Sequence, residues 1–278
     1  MLKLRVITAL ALLAVLVPAL LASATWPFLV VSLVLVVAAA WEWGRLNGAG
    51  GWGSWLLAGL VLVLALAAWQ AGWEESAPVA LWWLAAALWL VGGGYVLRGG
   101  PPAWAGMPRG LRWAVGVLVL GVAWLALGRS RHIGINFVLS VMALVWAADI
   151  AAYFGGKAWG RRKLAPHLSP GKTWEGAVSG AVAVLVLAGL WQILERSLSV
   201  DSLSVFGRLF QHWGLVPGGL AIVLLTAMSV VGDLFESGVK RAVGAKDSSG
   251  LLPGHGGVLD RIDALLPVFP CALALTVA

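Results

Sequence analysis

Apolar positions in this chain fall into long runs without a charged residue, separated by short polar stretches. A bilayer core of about 30 Å takes about 20 apolar residues of helix, so such runs predict membrane spans. Residues 6–41 carry no charge and are broken by Trp26-Pro27, which predicts two spans. Further runs at 46–73, 76–97, 113–128, 132–148, 176–194, 209–232 and 264–278 raise the expectation to about nine transmembrane helices in an all-α polytopic membrane protein. The runs 113–128 and 264–278 are short, so their helices are expected to extend into polar flanks or to sit tilted and partly covered by neighbours.

Composition agrees with the pattern: 61% of the 278 residues are hydrophobic and 11% are charged, against about 25% charged in soluble domains. With the N-terminus in the cytoplasm, nine alternating spans place fifteen of the 19 Lys and Arg inside; Arg129, Arg131, Arg196 and Arg208 fall outside. That asymmetry follows the positive-inside rule. The net charge of +7 therefore points to anionic lipid or a phosphorylated substrate, with no nucleic acid among the expected partners. Trp26, Trp41, Trp43, Trp73, Trp174 and Trp213 lie near span ends and are expected as interfacial anchors. Lys3, Arg5 and the apolar run after them imitate a signal peptide, but a second apolar run follows at once and fits a retained helical hairpin. The single Cys271 has no partner and is expected as a buried small hydrophobe.

No internal repeat is evident, and Gly/Pro-rich stretches at 47–53 and 99–110 predict turns between spans. Residues 1–145 read as a transmembrane scaffold and 146–278 as a catalytic region whose site loops face the cytoplasm. Three polar segments enter from there: 148–176, 232–241 and 246–263. All three fall on the cytoplasmic side in the expected topology, where they can meet.

Asp149 and Asp233 each end an apolar run, and an ionisable group at membrane depth is by default a functional candidate. The run Asp260-Arg261-Ile262-Asp263 sets two carboxylates at i and i+3, on one face of a helix. Paired carboxylates suit a hard cation such as Mg²⁺, which usually takes one or two of them together with substrate phosphates. Gly254, Gly256 and Gly257 around His255 allow positive φ and close approach of backbone to a ligand. Gly171-Lys172-Thr173 tempts towards a nucleotide-binding loop, but that motif needs a glycine at position 166, which is Pro. What remains is an expected helix start, with Pro170 early, Thr173 as cap and Glu175 in the first turn, where phosphate is attracted and Lys172 adds charge. Lys157, Arg161, Arg162 and Lys163 are expected to face anionic lipid. Carboxylates, basic side chains and glycine-rich backbone on one face are the parts that phosphoryl-type transfer needs.

The run Ser237-x2-Lys240-Arg241-x4-Lys246-Asp247-x5-Pro253-Gly254-His255-Gly256-Gly257-x2-Asp260-Arg261-x-Asp263 resembles the signature of phosphatidate cytidylyltransferases. Asp149-x3-Tyr153-x2-Gly156 and the segment Ser169 to Gly176 are also similar to that family, although Gly171 stands where many members carry a polar or basic residue. The resemblance implies a membrane enzyme that transfers the cytidylyl group of CTP to phosphatidate, with Mg²⁺, and with room for a second cation and for a homodimer. It implies Asp233 and Asp260 as metal carboxylates with Asp263 and Asp247 close by. Lys240, Arg241, Lys246 and Arg261 would hold phosphates, and His255 would contact ligand. Asp149, Ser169, Lys172, Thr173, Glu175, Ser237, Gly254, Gly256 and Gly257 would line the substrate site. The expected location is a bacterial inner membrane, with the site facing the cytoplasm. A CTP-dependent lipid kinase and a secondary transporter are the rival readings; the transporter expects polar groups at mid-span, whereas here they gather at one face.

Overall fold

The computed structural model describes residues 2–277. Among them, eight helices are long and apolar enough to cross a membrane. These are α1 (Leu2–Leu21), α2 (Trp26–Leu46), α3 (Gly50–Gln70), the joined α5 (Val79–Leu88) and α6 (Gly94–Ala105), α7 (Arg109–Ile133), α8 (Ile135–Trp159), α9 (Trp174–Ser197) and α11 (Leu215–Ala242). The short α4 (Trp73–Ser76), α10 (Val205–Trp213) and α12 (Leu259–Ile262) lie in the connections, and α13 (Leu265–Thr276) follows α12. The protein is thus a helical integral membrane protein, with lipid-facing Leu, Ile and Val on the outer faces of α1, α3 and α9.

The apolar run 264–278 behaves differently from the expectation of a ninth span. Its helix α13 has 12 residues, about 18 Å at 1.5 Å per residue, short of a bilayer core. Val268, Ala272, Leu273 and Ala274 are fully buried against α5, α7 and α11, so this run is apolar because it is core on all sides. The run 209–232 also divides. Gly214, at φ +79°, separates the amphipathic α10 from α11, which begins only at Leu215.

One small sheet interrupts the expected all-α chain. β1 (Lys163–Ala165) and β2 (Ser169–Thr173) pair antiparallel, with Lys163 opposite Thr173 and Ala165 opposite Ser169. Pro170 therefore sits in a strand and not at a helix start. Thr173 does cap α9, its Oγ1 accepting from the Gly176 N–H at 3.1 Å, and Glu175 lies in the first turn.

Span α5–α6 carries a π-helical turn at Trp89–Gly93, where Gly93 comes against Val231 of α11. Its path breaks again at Gly100 (φ +65°) before Pro101-Pro102. Trp43, Trp104 and Phe235, from α2, α6 and α11, form an aromatic cluster with centroids 5.3–6.1 Å apart. Trp43 is 2% exposed, so it is core and not the interfacial anchor expected of it, whereas Trp26, Trp73, Trp174 and Trp213 are exposed as a belt requires. Cys271 is free and buried.

α8 and α9 pack backbone to backbone: a Cβ on Gly176 would lie 2.7 Å from the Ala152 carbonyl oxygen, and one on Gly180 2.9 Å from that of Ala148. Small residues let membrane helices approach in this way. Gly176→Ala is expected to cost about 1–3 kcal/mol by overpacking, read as a lower unfolding temperature in detergent. Gly171→Ala, with nothing within 4 Å, is expected to leave that temperature unchanged.

Candidate functional site

The carboxy-terminal end of α11 presents Asp233, Glu236, Ser237 and Lys240 at helical spacing, so these side chains fall along one face. Two charged groupings form around them. In the first, Asp233 pairs with Lys172 from β2 and accepts from Ser237 Oγ at 3.3 Å. A cavity of about 430 Å³ opens beside this pair, lined by Asp149, Tyr153, Gly156, Lys157, Ser169, Lys172, Thr173 and Asp233 among others.

In the second grouping, Lys240 Nζ lies 2.5 Å from Glu236 Oε2 and 2.6 Å from Asp260 Oδ1. Asp260 Oδ2 accepts from Ser248 N (2.9 Å), Ser248 Oγ (2.9 Å) and Gly257 N (2.8 Å). Desolvation is the largest influence on Asp260 and acts to raise its pKa; Lys240 and the two N–H donors overcome it and hold the carboxyl down at about 2. The glycine turn has the form that the sequence predicts: Gly254 and Gly256 take φ +77° and +85°, and a Cβ on Gly256 would lie 2.8 Å from Asp260 Oδ2. Arg261 closes the turn by donating to the His255 carbonyl at 3.0 and 2.6 Å, while His255 Nδ1 is buried without a partner.

Asp263 joins the two groupings, because the charges of Asp233, Lys172 and Lys240 all act on it. Gly232 makes that approach possible: a Cβ there would lie 2.4 Å from the Asp263 carbonyl oxygen. Among the described residues, no group of three or more His, Cys, Asp or Glu side chains is gathered as a ready metal site. The donor chemistry fits a hard cation in part. Asp233 and Asp263 repel one another, which a divalent cation relieves, whereas Asp260 already accepts four hydrogen bonds.

Several expected site residues face solvent. Arg241, Lys246 and Asp247 are exposed; Arg241 donates to the Ala245 carbonyl at 3.3 Å, while Asp247 stays beside the glycine turn, its Cβ 3.6 Å from where a Cβ on Gly256 would lie. Glu175 turns to the backbone N–H groups of Arg161 and Arg162 at 3.1–3.2 Å, fastening the hairpin to α9. Two functional candidates escape the sequence pattern. Glu236 is 1% exposed, with Oε1 unpartnered, and Glu42 of α2 is fully buried and bonded to the segment before α12. Each is an acid within or just after an apolar run, the signal that singles out Asp149 and Asp233.

Beside the polar cavity lies a second one of about 830 Å³, lined by apolar residues of α6, α9, α11 and the hairpin, with Arg98 and His167 among them. The two cavities share Leu164, Ala177 and Val230 as lining residues. A cavity that carries two lysines and two carboxylates, Asp149, Lys157, Lys172 and Asp233, thus adjoins a larger one lined mainly by apolar residues.

Residues 3–278 match the profile described as the Cytidylyltransferase family, and the chain belongs to this family of phosphatidate cytidylyltransferases, nucleotidyltransferase-type membrane enzymes. It is 40% identical over 287 aligned positions to a phosphatidate cytidylyltransferase of Pseudomonas aeruginosa, covering 99% of this chain and 97% of that protein. The corresponding protein of Haemophilus influenzae is 45% identical over 155 positions, 55% of this chain and 50% of its own length. That of Bacillus subtilis is 38% identical over 137 positions, 49% and 46% of the two chains.

Proposed function

We propose that this chain transfers the cytidylyl group of CTP to phosphatidate, giving CDP-diacylglycerol and pyrophosphate, at the cytoplasmic face of a bacterial inner membrane. The observation that carries the reading is the contact between the polar and apolar cavities. A water-soluble triphosphate and a diacyl lipid have to meet at one atom, and adjoining cavities at the inner helix ends supply that meeting point. Family membership and the positive-inside asymmetry support the same conclusion.

In this reaction a phosphatidate phosphate oxygen attacks the α-phosphorus of CTP, a new P–O bond forms, and the bond to the β-phosphate oxygen breaks as pyrophosphate leaves. The attacking oxygen is already ionised at neutral pH, so the protein needs no general base for it. What it must offset is the repulsion between two anions. Lys172 and Lys157 on the charged cavity would supply positive charge, and Leu164, Val230 and Ala177, which line both cavities, border the place where the acyl chains end. Asp263, and Asp233 once its pairing with Lys172 loosens, would hold Mg²⁺, which would supply charge neutralisation on the triphosphate. Asp260 would join them only by loosening its bond to Lys240.

The test is purified protein in liposomes containing phosphatidate, given CTP and Mg²⁺, with nucleotide and phosphate products quantified. CDP-diacylglycerol and pyrophosphate in equal amounts are expected. Release of CDP without pyrophosphate would point to a lipid kinase and overturn the reading.

A further inference from the structure

Glu42 lies in the amino-terminal half of the chain, lines neither cavity, and is buried with 0% exposure. Its carboxylate nevertheless lies within hydrogen-bond distance of four donors, all from one distant segment. Oε1 takes Ser249 Oγ at 2.5 Å and Val258 N at 3.0 Å; Oε2 takes Ser248 Oγ at 3.2 Å and Leu259 N at 2.7 Å. Each oxygen thus receives one hydroxyl from the start of the segment 248–259 and one backbone N–H from its end. A carboxylate has about four lone-pair sites; three take Ser249 Oγ, Val258 N and Leu259 N, and the fourth shares the single Ser248 hydroxyl proton with Asp260 Oδ2. Among the described residues no Lys, Arg or His forms an ion pair with it.

We propose that Glu42 is a positioning residue: it clasps the two ends of the 248–259 segment and thereby sets Asp260, and through Asp260 the ammonium of Lys240. The connection is direct in the bonding. Ser248 Oγ lies within reach of both Glu42 Oε2 (3.2 Å) and Asp260 Oδ2 (2.9 Å), and Asp260 holds Lys240 at 2.6 Å. Gly257 sits inside the clasp, where a Cβ would come 1.9 Å from Ser248 Oγ and 2.5 Å from Glu42 Oε1. The turn that carries His255 therefore closes over Glu42 with no space to spare.

The kinetic part of this proposal rests on the cytidylyl transfer proposed for this chain; the clasp itself does not. Glu42→Gln keeps the shape but replaces one acceptor oxygen with an NH₂ donor, setting donors against donors. It is expected to lower kcat about 10²-fold, the scale of a displacement near 1 Å at a reacting centre, with the KM for CTP little changed. Hydrogen exchange at residues 248–259 is expected to quicken about tenfold or more as the segment opens locally. Ser249→Ala removes a single donor and keeps the test readable should the Gln variant not fold; it is expected to lower kcat about fivefold. Faster exchange with unchanged kcat in folded protein would overturn the positioning role, and unchanged exchange would overturn the clasp. A wild-type chain that releases no pyrophosphate would refute the transfer reading, and the exchange measurement would then decide the clasp alone.

Discussion

Lys240→Met is expected to destabilise the protein by about 3–5 kcal/mol, the cost of removing one partner from a buried charge cluster. The Lys240 side chain is 12% exposed, and the two carboxylates that it bridges, Glu236 and Asp260, are 2% and 6% exposed. Met fills a similar volume, so packing is largely kept and the charge is what disappears. Two acids then face each other in a medium where water cannot solvate them. Asp260 keeps three donors on Oδ2, but Glu236 Oε1 has no partner even with the lysine present. The double substitution Lys240→Met, Glu236→Gln is therefore expected to recover part of the loss. Unfolding temperature in detergent is the measurement, and a variant as stable as the parent would mean that the triad contributes nothing to folding.

The carboxylates of the site differ in how far the sequence reveals them. Asp233, Asp260 and Asp263 are legible because a chain this apolar has few carboxylates, and ones at helix ends or at i, i+3 spacing stand out. The positive φ at Gly254 and Gly256 is legible because glycine alone takes it without cost. Glu42 is not, for a physical reason: its partners lie more than 200 residues away, and spacing rules reach only along one helix or strand. In a count of charge-free runs it serves merely to end a span. The hairpin at 163–173 is hidden because its two strands are three and five residues long and offer too little alternation to read as strand. Hydropathy misleads at α13, where an apolar run expected as a ninth span, at most partly covered by neighbours, is a 12-residue helix buried within the bundle. Hydropathy measures the wish to leave water and cannot distinguish a lipid solvent from a protein one.

Asp263→Asn is expected to move stability and activity in opposite directions. Burial, and then the charge of Asp233, push the Asp263 carboxyl up from 3.8 to about 7, against the opposing pull of the Ala264 N–H, Lys240 and Lys172. The folded protein therefore binds this proton more tightly than the unfolded chain does. Stability is highest below the unfolded value, falls as pH rises from about 4 to about 7, and stays low above that. A tenfold difference in proton affinity between folded and unfolded chain corresponds to about 1.4 kcal/mol. Because the side chain keeps some contact with solvent, the whole limb is on the order of 2 kcal/mol. An uncharged Asn removes the limb: in buffer without divalent cations the variant should match wild type near pH 4 and exceed it at pH 8. Turnover should fall about 10³-fold, as when a group that stabilises transferring charge is deleted. Mg²⁺ should raise the unfolding temperature of wild type at pH 8 by binding the folded state, and should leave that of the variant unchanged. A flat pH profile in wild type would mean that Asp233 and Asp263 do not strain one another. The case for a cation between them would then lose its physical basis.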